Sequence, residues 1–204
     1  MYSVPFSPSP ATRNRHRAAL RKVAISTLLG LSLLGGCASY RPVDEAFHAV
    51  LQQPYALDAG DSVRITVFEQ KELTNSYAVD KAGYIAFPLI GSVQARGRTP
   101  KQIEGDIAAR LQNGYIRDPD VSVEVDRYRP IFVMGEVGAA GQYVYVPGMT
   151  VQNAIALAGG FTARAYQGNA DITRAVNGQV LNGRVPLSDP VMAGDTLYIR
   201  ERLF

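Results

Sequence analysis

At 204 residues the chain can hold one or two domains with a sizeable core, and 47% hydrophobic against 19% charged residues is an ordinary globular composition. The pI near 9.0 points to nucleic acid only until the charges are placed. Arg13, Arg15, Arg17, Arg21 and Lys22 precede Val23 with no acidic residue among them, and without the first 36 residues 16 basic side chains face 18 acidic ones, a formal charge of −2. No basic excess remains for a nucleic-acid partner, and a single cysteine excludes an intramolecular disulfide.

The basic segment, the apolar run Val23 to Leu34 and the small residues after it read as a secretory signal, because twelve apolar residues cannot comfortably span a bilayer. The run ends in Leu34-Gly35-Gly36-Cys37, which resembles the lipobox of bacterial lipoproteins. That resemblance implies removal of residues 1–36 and lipidation of Cys37 as the mature first residue; a buried or free thiol is the simpler alternative. Ala38, where an aspartate goes with inner-membrane retention, implies the outer membrane. Several acyl chains, at about 0.8 kcal/mol per buried CH₂, would anchor it stably. Residues 37–54 read as a tether with little regular pattern.

A first domain is expected over residues 55–129. After the Ala59-Gly60-Asp61 turn, Val63, Ile65 and Val67 alternate with Ser62, Arg64, Thr66 and Phe68, the period of a half-buried strand. Residues 76–80 and 84–87 are expected to form a hairpin across Ala82-Gly83, with Pro88 ending its second strand and Gly91 and Gly97 interrupting the stretch up to residue 98. Thr99-Pro100-Lys101-Gln102 is a capping box with proline at the first helical position, and Ile103, Ile107 and Leu111 recur every four residues up to Asn113-Gly114. Val121, Val123 and Val125 then alternate as another strand.

A second domain is expected over residues 130–199. Ile131 to Val137 reads as a strand, Gly138 and Gly141 bracket a reversal, and Tyr143 to Val146 returns as the second arm of a hairpin. Thr150 can cap a helix whose apolar face is Val151, Ala154, Ile155 and Ala158, ended by Gly159 and Gly160. Two helical turns are unstable alone, so that face must pack on the hairpin. Asn177-Gly178 signals a tight turn between residues 172–176 and 179–181. "AGDTLYI" from Ala193 to Ile199 echoes "AGDSVRI" from Ala59 to Ile65 and is expected to close the sheet. In both echoes the aspartate, Asp61 or Asp195, reads as an acceptor of backbone N–H bonds rather than a ligand. Residues 200–204 read as a short tail.

The stretch "GDSVRITVFEQKEL" through "DPDVSVEV" resembles the periplasmic domain of the outer-membrane polysaccharide export lipoproteins. The pattern "VMGEV", "GMTV" and "AIALAGGF" in the second domain resembles the soluble-ligand-binding β-grasp module of the same family. Together they span residues 55–199 in the family's order behind a lipobox. The resemblance implies an α+β fold of two small mixed domains, the second β-grasp-like. It further implies a homo-oligomeric ring that guides a capsular or exopolysaccharide outward and docks on an inner-membrane polysaccharide co-polymerase. Pore-forming members carry a C-terminal amphipathic membrane helix; here the residues after Ile199 contain none, which implies a short form paired with a separate outer-membrane pore protein.

Catalytic chemistry is sparse. His16 lies in the signal and His48 in the tether, so neither a zinc site nor a Cys–His pair can be assembled in the mature chain. The carboxylate pairs Asp58 with Asp61 and Asp118 with Asp120 could in principle serve glycoside hydrolysis, but both flank turns and read as capping residues. Tyr77, Tyr84, Tyr115, Tyr128, Tyr143 and Tyr145 could line a wet channel, though strand tyrosines are more often core or sheet surface. No enzyme activity, cofactor or metal is expected. The alternatives are a glycan-binding periplasmic lipoprotein that forms no pore and, behind it, a periplasmic glycan hydrolase.

Overall fold

The computed structural model describes residues 45–176 and 178–203; the expected signal, Cys37 and Asn177 lie outside the described residues. The expected tether is not featureless where it is described. Glu45–Ala49 forms a short helix, α1, followed by a 3-10 turn at Val50–Gln52. A helix this short needs an external anchor, and Phe47 supplies it by inserting into the core of the second domain.

In the first domain the alternating residues form β1 (Ser62–Val67), with Val63, Ile65 and Val67 all buried. The expected hairpin of residues 76–80 with 84–87 does not form. Instead β2 (Asn75–Ala78) pairs antiparallel with β1, and β3 (Tyr84–Phe87) pairs with β4 (Gly91–Gln94), a strand not expected from the sequence. The Asp80–Tyr84 turn exists, closed by the Asp80 N–H to the Tyr84 carbonyl, but it passes the chain from one sheet to another. The reason is burial: Val79 follows β2 into the core, while Ile85, Phe87 and Val93 cover the same core from a second layer.

Thr99 caps α2 (Pro100–Gln112) as expected. Its hydroxyl accepts from the Gln102 N–H at 3.3 Å, and Gln102 Oε1 accepts from the Thr99 N–H at 2.9 Å. Ile103, Ile107 and Leu111 are buried. β5 (Val121–Arg127) then completes a three-stranded sheet of order β2-β1-β5.

The second domain is built on β6 (Ile131–Gly135), β7 (Gly141–Tyr143), α3 (Val151–Leu157), β8 (Asn169–Val176), β9 (Gln179–Pro186) and β10 (Thr196–Ile199). The sheet is mixed, of order β7-β6-β10-β8-β9. β10 does not close an edge; it lies at the centre, parallel to β6 and antiparallel to β8, where Leu197 and Ile199 can be wholly buried. Thr150 and Asn153 form a reciprocal capping box on α3, and Val151, Ala154, Ile155 and Ala158 face the core with Ile131, Val133 and Ile172.

Three boundaries differ from expectation, the first at β6, which ends at Gly135 instead of Val137; Val137 makes only an isolated bridge to Phe161. β7 occupies residues 141–143 instead of 143–146, because only these find β6 across the sheet. The β8–β9 hairpin runs to eight residues on each arm, extended by the buried pair Ala170 and Val185 at its far end. Residues 200–202 fold back as well: the Arg200 carbonyl accepts from the Tyr166 N–H at 2.8 Å, and the Arg202 N–H reaches the Arg164 carbonyl at 2.8 Å. Among the described residues no helix is long and apolar enough to cross a membrane.

Candidate functional site

The two echoed turns have the same internal geometry. In Asp58-Ala59-Gly60-Asp61 the Asp61 N–H reaches the Asp58 carbonyl at 3.1 Å, and Asp61 Oδ2 accepts from the Asp58 N–H at 2.8 Å. In Met192-Ala193-Gly194-Asp195 the matching bonds are 3.1 and 2.6 Å. Gly60 at φ +92 and Gly194 at φ +86 occupy the third position, which a type II turn reserves for a residue with positive φ. Both aspartates therefore accept backbone N–H bonds, as the sequence leads one to expect.

What sequence reasoning missed is that each aspartate is buried and holds an arginine. Asp61 Oδ1 accepts from the Arg129 N–H at 2.7 Å, and Oδ2 accepts from Tyr55 Oη at 2.8 Å and Arg129 Nη1 at 3.0 Å. Arg174 donates Nε at 3.0 Å and Nη2 at 2.7 Å to the two oxygens of Asp195, a bidentate pair with both side chains 1% exposed. Its remaining N–H groups reach the carbonyls of Phe47 and Pro190 at 3.3 Å, and its guanidinium lies 4.1 Å from the centre of the Phe47 ring.

Arg129 joins the domains. Its backbone and Nη1 bind Asp61 in the first, while its Nε lies so close over the second turn that a Cβ on Gly194 would meet it at 2.6 Å. The Gly194 N–H reaches the Pro130 carbonyl at 3.1 Å. Alongside runs an edge-to-face row of rings, Tyr55 to Tyr128 at 4.9 Å and Tyr128 to Tyr145 at 5.4 Å.

The electrostatics of the joint suit permanent structure. Burial pushes the Tyr55 phenol far above its ordinary value, against the pull of Arg129 and with the help of Asp61, so its proton stays to donate to that carboxylate. Burial also raises Asp195, against the opposing pull of Arg174. At Asp58 burial acts upward too, but the Arg96 bond at 2.8 Å, the Ala59 N–H and the Arg129 charge outweigh it and hold the carboxyl below its usual value. No buried side-chain polar atom among the described residues lacks a partner. A cavity of about 80 Å³ bordered by Gln53, Asp58, Arg96, Arg129 and Met192 has room for ordered water, not for a polymer.

The other candidates do not converge. Asp118 and Asp120 are exposed beside the turn into β5. His48 Nε2 lies 2.9 Å from Asp189 Oδ2. Tyr77 packs on Phe87 in the first core, Tyr143 bonds the Ala139 carbonyl, and Tyr84 and Tyr115 are exposed, so the six tyrosines line no common surface. Among the described residues no group of three or more His, Cys, Asp and Glu is placed to hold a metal. The AGD echo was the only sequence signal for the joint; Arg129, Arg174, Tyr55 and Phe47 carried none.

Residues 49–126 match the family described as polysaccharide biosynthesis/export protein, and residues 130–185 match the SLBB domain. The exopolysaccharide production protein ExoF of Rhizobium meliloti is 29% identical over 216 aligned positions, which cover 94% of this chain and 49% of that protein. The polysialic acid transport protein KpsD of Escherichia coli is 24% identical over 192 positions, 88% of this chain and 33% of that protein. The chain thus spans about half or less of the length of these curated relatives.

Proposed function

The chain belongs to the polysaccharide export protein family, and on that premise we propose that it is a periplasmic component of a capsular or exopolysaccharide export machinery. The observation that carries this reading is the succession of the two matched domains along one chain, with relatives named for exopolysaccharide production and polysialic acid transport aligned over most of it. The chain is held at the outer membrane by lipid on Cys37, and its domains, residues 55–129 and 130–199, form tiers of a homo-oligomeric ring that meets an inner-membrane co-polymerase. It guides the polymer by shape and charge and makes or breaks no bond. The buried joint supports this reading, since a wall that steers a passing chain must keep its two tiers in fixed relation: Asp61 with its four donors fixes Arg129 without offering a free base, and Arg129 in turn lies against the Gly194 turn of the second domain.

Removal of the chain from its host is the test. Surface polysaccharide is expected to fall sharply while polymer accumulates inside the cell, and the full chain supplied in trans is expected to restore it. Unchanged surface polysaccharide refutes the export role. Intact mass of the mature protein tests the anchor separately: Cys37→Ser is expected to leave residues 1–36 attached and acyl mass absent.

A further inference from the structure

The sheet of the second domain has two open edges, and they complement one another. We propose that β9 of one copy pairs with residues 141–146 of the next, joining neighbouring sheets edge to edge; this rests on the ring reading above.

Strand direction permits it. β7 runs against β6, β10 runs with β6, β8 runs against β10, and β9 runs against β8. The two edges therefore point in opposite senses. Rotation about a ring axis preserves the sense of each strand along that axis, so β9 of one copy meets β7 of its neighbour antiparallel.

The faces agree as well. Tyr143 lies opposite buried Ile131 and packs with Tyr145 on the core, which puts Gln142, Val144 and Val146 on the outer face. Val185 is buried and Leu181 packs on the same core, which puts Val180 and Asn182 on the outer face too. Val144, Val146 and Val180 are 72%, 56% and 62% exposed in the single chain. Antiparallel pairing brings these β-branched side chains together on one side of the joined sheet and removes them from water.

The sequence of residues 141–146, Gly-Gln-Tyr-Val-Tyr-Val, is strand-forming throughout, yet only residues 141–143 pair within the chain. A neighbouring edge supplies the missing partner for the rest. The first domain shows the opposite treatment: the edge strand β5 exposes Glu124 and Asp126, charges that guard an edge against pairing. On β9 the outward positions nearest the hairpin tip are Val180 and Asn182.

Cysteine pairs in the full chain test the contact. Val144→Cys or Val146→Cys combined with Val180→Cys is expected to give, on mild oxidation, a ladder of covalent multimers beyond the dimer. Mixing the corresponding single variants is expected to give dimers only. Cross-linking of Val180→Cys to itself instead, with no ladder from the double variants, overturns the proposal in favour of a two-fold contact. Native mass of the uncross-linked chain is measured alongside. An oligomer without any cross-link between residues 144–146 and 180 overturns the edge pairing and leaves the ring reading standing, whereas a monomer throughout overturns both. Val180→Lys places a charge on a position exposed in the single chain, so its far-ultraviolet circular dichroism is expected to match the parent while its native mass falls to that of the protomer; a retained oligomer contradicts the proposal.

Discussion

Replacing Arg174 with methionine removes the guanidinium from the better buried of the two Arg–Asp pairs while keeping most of the side-chain volume. Asp195 is then left with the Met192 N–H as its donor, and the carbonyls of Phe47 and Pro190 each lose a partner. Breaking a buried ion pair from one side costs about 3–5 kcal/mol, and the weak 3.3 Å carbonyl bonds add little, so we expect a loss of about 4 kcal/mol. That is a large part of the total stability of a small domain, about 5–15 kcal/mol. The chain has no tryptophan, so urea unfolding is followed by tyrosine fluorescence and far-ultraviolet circular dichroism. The pH dependence has a defined sign. Burial already raises Asp195, and without Arg174 nothing of comparable strength opposes it. A carboxyl raised in the fold penalises the folded state when ionised, so the deficit should be full at neutral pH and shrink as pH falls through the raised value. Arg174→Met combined with Asp195→Asn should recover part of the loss at neutral pH. A single variant within about 1 kcal/mol of the parent, below the cost expected of any broken buried pair, would refute the reasoning.

Ile155→Asp puts a carboxylate with no partner into the second core, and it is expected to abolish the cooperative melt of that domain; an unchanged melt would show that the face of α3 is open to solvent. Phe47→Ala should cost about 3 kcal/mol by urea unfolding, the low end for a buried phenylalanine because the segment is short. A negligible loss would mean that the segment before the first domain is not anchored on the second. Asp58 is held below its ordinary value, so its contribution is present above the unfolded carboxylate pKa of about 3.9 and is lost as pH falls through the folded value. Asp58→Asn should accordingly differ from the parent in urea midpoint near neutrality and converge with it in acid. The difference is small because the side chain is 37% exposed and screened, and a gap that widens in acid would contradict it.

What the sequence determines by itself is whatever is decided within a few residues along the chain. The Thr99 to Gln102 box and the Thr150 cap set the helix starts, and the four-residue recurrence of Ile103, Ile107 and Leu111 sets a buried face. Alternation in β1 and β5 says which side chains face inward, and the AGD turns specify their own backbone bonds. Both domains of the family are legible in that local pattern. Alternation chooses a face but not a neighbour, however. Whether β2 pairs with β1 or with β3, and whether β10 closes an edge or fills the centre, depends on which arrangement buries Val79, Leu197 and Ile199. The joint was beyond sequence reasoning for a stronger reason. Arg129 lies 68 residues from Asp61, and Arg174 lies 21 from Asp195 and 127 from Phe47. The sequence alone gives an arginine every reason to stay in water, because desolvating its charge is costly until a partner carboxylate and carbonyls surround it. Only the folded chain brings them together, so only the tertiary structure decides that these charges are inside.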